Sequence, residues 1–122
     1  MAEPFPKAKQ LARGERRYRR KVASPKQWAA IRADKLDNQP CRIMLDDAPV
    51  APAEELHHLV PRSLGGDDVA DNLVGLCRKH HRWVTEREQP VLGALGESLT
   101  EAERAYVIGK LGPGAMGRLF GV

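Results

Sequence analysis

A chain of 122 residues makes one domain with extensions and buries only a modest core, part of which a metal could help to hold. It contains no run of about 18 apolar residues, which excludes a membrane-spanning helix, and its polar, basic N-terminus lacks the apolar stretch of a secretory leader. Two cysteines, Cys41 and Cys77, fit a reducing compartment, so a cytoplasmic location is expected.

The net charge of +4 is unevenly placed. Lys7, Lys9, Arg13, Arg16, Arg17, Arg19, Arg20 and Lys21 stand against Glu3 and Glu15 in residues 1–23, while the remainder is slightly acidic. A block of cations on a near-neutral domain is an electrostatic footprint for nucleic-acid phosphates, the alternative being a solubilising tail. Residues 1–23 therefore read as a basic, disordered arm, with Arg13, Arg16, Arg17, Arg19, Arg20 and Lys21 as its DNA contacts.

Ser24-Pro25-Lys26-Gln27 opens a helix: Ser24 caps, Pro25 suits the first helical position and Gln27 completes a capping box. The helix is expected to reach Leu36, with Trp28 as a core anchor, and to stop before Pro40. Residues 43–47 and 55–60 read as two short antiparallel strands, joined by a loop holding Pro49 and Pro52. Residues 61–72 form a long loop that turns at Gly65-Gly66, and Leu73–Leu76 is a brief extended or turn segment. A second helix is expected from Arg78 to about Glu88, halted by Pro90. Residues 91–98 read as a Gly-rich linker. Thr100 and Glu103 form another capping box, opening a helix to Leu111 that Gly112-Pro113 ends. That helix carries no chemistry legible in the sequence. An apolar tail follows, docked through Leu119 and Phe120.

All four histidines fall in one stretch, as the pairs His57-His58 and His80-His81, with Asn72 between them and Cys77 just before the second. Such clustering points to metal binding or proton transfer rather than to scattered surface histidines. Successive strand residues face opposite ways, so His57 and His58 must serve different sides.

The order His57-His58-Leu59-Val60-Pro61, Gly65-Gly66-Asp67-Asp68, Asn72-Leu73 and Leu76-Cys77-Arg78-Lys79-His80-His81 resembles the HNH nuclease family over roughly residues 24–88. The resemblance implies an α+β fold with a ββα-metal core, flanking helices and the basic arm, and an HNH domain at 24–90 followed by a C-terminal helix and tail at 91–122. It implies a metal-dependent endonuclease that hydrolyses DNA phosphodiester bonds. His58 would be the general base, and His57 and His81 the ligands of a divalent metal (Mg, Mn, Co or Ni). Asn72 would complete the catalytic set by orienting the base or its loop, although in some members this Asn reaches the metal. Arg62 and Arg82 flank the site as further DNA contacts. Asp67, Asp68 and Asp71 read as turn and cap residues, with one of them available as a substitute ligand.

The family's zinc knuckle is incomplete here. Met44 and His80 stand where cysteines are usual, leaving Cys41, Cys77 and His80 as three ligands for a structural zinc that wants four. Either a fourth ligand comes from elsewhere or the knuckle is vestigial. Small phage HNH proteins often work with a genome-packaging terminase, so a terminase large subunit or another packaging protein is an expected partner, in the host cytoplasm. The alternative is a catalytically inactive HNH fold kept as a DNA-binding or scaffold module.

Overall fold

The computed structural model describes residues 20–45 and 50–122. Helix α1 spans Pro25–Leu36, and its start is the expected capping box: Ser24 Oγ accepts from Gln27 N at 3.2 Å while Ser24 N donates to Gln27 Oε1 at 2.8 Å. The helix buries no residue fully. Trp28 is therefore not the core anchor expected of it; it is half-buried in a cleft wall, edge-on to His58 with ring centroids 6.1 Å apart.

The sheet has two strands, β1 at Glu55–His58 and β2 at Leu73–Leu76, antiparallel with Glu55 opposite Leu76 and His58 opposite Leu73. The partner of β1 is thus not the 43–47 segment. Residues 43–45 are irregular, and 46–47 lie outside the described residues. The chain before them does run beside the 51–53 segment, through a bridge of Pro40 with Pro52 and a bond from Cys41 N to Ala51 O at 2.8 Å. Two prolines in facing positions remove the donors a longer ladder needs. All four residues of β2 are buried, so its pattern is continuous rather than alternating, and the sequence does not mark it as a strand.

Helix α2 (Arg78–Thr85) follows β2 directly. Cys77 caps it, its sulfur accepting from His80 N at 3.4 Å. The helix stops short of Glu88, and Arg87 has a left-handed φ of 58°. β1, β2 and α2 together make the ββα unit of an α+β fold.

The 91–98 segment is not a linker but helix α3, Val91–Ser98, with Val91, Leu92 and Leu95 buried. Its Gly96 marks close packing: a β-carbon there would lie 2.7 Å from Phe120 Cβ. α4 (Glu101–Leu111) carries the second capping box, Thr100 N to Glu103 Oε1 at 2.9 Å and Glu103 N to Thr100 Oγ1 at 3.1 Å. The tail folds as α5, Ala115–Phe120, with Met116 and Phe120 in the core. One apolar cluster runs from Cys41 and Ile43 through Leu59, Val60, Val74 and Leu76 to Leu95, Val107 and Phe120. No described helix is long and apolar enough to cross a membrane.

Candidate active site

The histidine pair on β1 divides as strand alternation requires. His57 faces α2, where its ring meets His81 edge-on at 5.3 Å between centroids. His58 faces α1 and the 61–72 loop, with Trp28 on one side and Asp68 on the other, its Nε2 lying 2.8 Å from Asp68 Oδ1. His57, His58 and His81 all line one cleft of about 780 Å³, walled by Trp28, Arg32, Pro61 and Arg62.

Burial, reinforced by the neighbouring His81 and His58, pushes the His57 imidazole down to about 4. It is therefore neutral in ordinary buffer, the form that offers a lone pair to a metal. His81 Nδ1 lies 2.7 Å from Glu55 Oε1. A carboxylate only accepts, so that nitrogen carries the proton and Nε2 is left free. This is the carboxylate–histidine arrangement that orients metal ligands. The hydrogen bond from His81, with help from Arg78, holds the Glu55 carboxyl below its ordinary range. Two imidazoles with a carboxylate beside them, open to a cleft, suit a catalytic divalent cation with positions free for water or phosphate.

Asn72 is fully buried at the end of the loop. Its Oδ1 accepts from Val60 N at 2.7 Å, and its Nδ2 donates to Val60 O at 3.1 Å and Asp67 O at 3.0 Å. The side chain thus ties the chain just after His58 to the chain just before Asp68. Gly66 belongs to the same closure: a β-carbon there would sit 1.8 Å from Val60 O.

Asp67 and Asp68 are buried anchors rather than turn residues. Asp67 accepts from Lys21 N at 2.6 Å and Tyr106 Oη at 2.7 Å, with Lys110 Nζ at 3.2 Å. Asp68 accepts from Arg20 Nη1 at 2.7 Å and Ala23 N at 3.0 Å as well as facing His58. Burial works against the charged form of Asp68, but the hydrogen bonds from His58, Ala23 and Arg20 outweigh it and hold the carboxyl down to about 2.

Cys41, Cys77 and His80 converge, all buried, with donor atoms within 4.8 Å of one another. Cys41 Sγ lies 3.4 Å from His80 Nδ1, and burial pushes the Cys41 thiol up. Met44 is 59% exposed and stays out of this cluster. The donors fit three corners of a tetrahedral zinc site.

Among the expected DNA contacts, Arg13, Arg16, Arg17 and Arg19 lie outside the described residues. Arg20 is turned inward onto Asp68 and Gly66 O, and Lys21 is fastened through its backbone to Asp67. Arg62 lies over the Trp28 ring at 5.8 Å, at the cleft rim, and Arg82 is exposed on α2. Sequence reasoning missed Glu55 and Tyr106. Glu55 had a signal, standing two residues before His57 and so on the same strand face. Tyr106 had none, since its partner is 39 residues away.

The family model described as HNH endonuclease matches residues 39–87, which hold β1, the loop, β2 and α2. Neither the curated proteins nor the solved structures include a match to the chain. Family endonucleases of this kind act on DNA with divalent metals, and the matched segment carries His57, His58, Asn72 and His81 in the geometry just described. Residues 39–87 of the chain carry an HNH endonuclease domain.

Proposed function

We propose that the protein is a metal-dependent DNA endonuclease whose cleft hydrolyses a phosphodiester bond. The observation that carries this reading is the division of labour on β1: His57 faces His81 across to α2, and His58 stands beside them on the same cleft. His58 takes the proton from a water, whose oxygen attacks phosphorus as the bond to the leaving oxygen breaks. A divalent cation held by His57 and His81 would supply charge neutralisation at the phosphate and the leaving oxygen. Glu55 orients His81. Asn72 holds the loop and so keeps His58 facing the cleft. Arg62 and Arg32 at the cleft wall attract phosphate, and the cations of the basic arm that precede Arg20 extend the contact along DNA.

Cys41, Cys77 and His80 would hold a structural zinc that ties the 41–43 segment to the start of α2. A phage genome-packaging role with a terminase rests on the resemblance of the sequence to small phage HNH proteins. The test is cleavage of supercoiled plasmid by the full chain with Mg²⁺, Mn²⁺, Co²⁺ or Ni²⁺, with EDTA, and with His58→Ala. Metal-dependent nicking that His58→Ala loses supports the reading. DNA binding without cleavage under any metal would overturn it in favour of an inactive DNA-binding module.

A further inference from the structure

We infer that Asp68 is a positioning residue for His58, fixing which imidazole nitrogen is free to accept the proton; the catalytic half of this inference rests on the nuclease reading above. Asp68 Oδ1 lies 2.8 Å from His58 Nε2. A carboxylate has no proton to give, so the hydrogen in this contact belongs to Nε2 and the lone pair of the neutral ring belongs to Nδ1. Among the described residues Nδ1 has no hydrogen-bond partner. A bare β-strand histidine would interconvert between tautomers, and a ring edge-on to Trp28 would be free to turn about its own axis. The contact to Asp68 removes both freedoms.

Asp68 is itself fixed. Its side chain is 1% exposed, and its other contacts are Arg20 Nη1 at 2.7 Å and Ala23 N at 3.0 Å, while Arg62 Nε stands at 3.9 Å. Its backbone N donates to Lys21 O at 2.8 Å. A buried carboxylate with a guanidinium, a backbone amide and an imidazole arranged around it has little room to rotate. The same oxygen serves Arg20 and His58, so the last arginine of the basic arm and the base share one acceptor. This arrangement has the logic of an aspartate that orients a catalytic histidine, built here from a loop residue ten positions along the chain.

The experiment is nitrogen-15 spectroscopy of the imidazoles of the full chain as purified, with no divalent cation added, at about pH 8, where an ordinary imidazole is neutral. His58 should show a protonated Nε2 and an unprotonated Nδ1. Asp68→Asn should blur or reverse that preference, because the amide presents either an acceptor or a donor to the ring. It should lower kcat at least about tenfold, with less effect on KM for DNA, and by no more than the ~10⁴-fold loss seen when the aspartate of a Ser-His-Asp triad is amidated. Asp68→Glu, which keeps the carboxylate, should recover part of the turnover. A wild-type His58 protonated on Nδ1 overturns the proposal without any variant having to fold. So does an Asp68→Asn chain with wild-type tautomer and turnover. If His58 shows the expected tautomer but the chain cleaves no DNA with any metal, the nuclease reading and the catalytic half fall while the tautomer assignment stands.

Discussion

Asn72→Ala tests whether this side chain serves the loop or the substrate. The truncation leaves Val60 N, Val60 O and Asp67 O without their partner in a site where Asn72 is fully buried. An unsatisfied buried polar group costs about 1–3 kcal/mol, so three at the low end give about 3 kcal/mol, a large part of a typical domain's ~5–15 kcal/mol. With a urea dependence of about 1.5 kcal/mol per molar, the unfolding midpoint should fall by about 2 M. Asn72→Asp should cost at least as much, because it sets a carboxylate oxygen against the two carbonyls that Nδ2 now serves. The assay is urea unfolding followed by circular dichroism, with nicking measured well below the midpoint. An Asn72→Ala chain within about 0.5 kcal/mol of wild type that nonetheless loses cleavage would refute the latch and make the amide a contact to substrate or metal.

His57→Ala and His81→Ala should each weaken Mn²⁺ binding in calorimetric titration, with excess metal restoring part of the nicking, whereas His58→Ala should keep metal affinity and lose turnover by about 10²-fold or more. Mn²⁺, Co²⁺ or Ni²⁺ should support cleavage at least as well as Mg²⁺, and Glu55→Gln should loosen metal binding by about 10–100-fold in the same titration. Deleting residues 1–19, which spares Arg20, should flatten the plot of log affinity against log salt by about 0.9 for every phosphate no longer neutralised, read from fluorescence anisotropy; an unchanged slope counts against the arm as a DNA-binding element. The Asp68 carboxyl is lowered in the folded chain, so its contribution is complete above its ordinary range near 4 and is lost as pH falls through about 2; acid unfolding should steepen across that window, and Asp68→Asn should remove about 2 kcal/mol of that pH-dependent stability.

The parts of the fold that the sequence announced are those written in local chemistry. Ser24 with Gln27 and Thr100 with Glu103 marked two helix starts because a capping box closes within four residues. His57, His58, Asn72 and His81 could be read from order alone. The parts that stayed hidden depend on distant partners. Leu73–Leu76 has no alternation because both its faces are covered. Gly93 and Gly96 looked like a linker because close approach of Phe120 cannot be seen in a local window. The roles of Asp67 and Asp68 rest on Arg20, Lys21, Ala23 and Tyr106, which lie 39 to 48 residues away.

The bond from Tyr106 to Asp67 bears on how portable the nuclease motif is. Residues 39–87 look like a cassette, yet the loop inside them is gripped from outside by Tyr106 and Lys110 on α4 and by the backbone of Lys21. Excising the cassette would strip the Asp67 carboxylate of Lys21 N, Tyr106 Oη and Lys110 Nζ, and the loop would lose its outer anchor. A transplant has to bring α4 and the Lys21 segment along to keep that anchor. By the same logic, the hydroxyl of Tyr106 is a place where change far from the histidines in sequence reaches the loop residue next to Asp68.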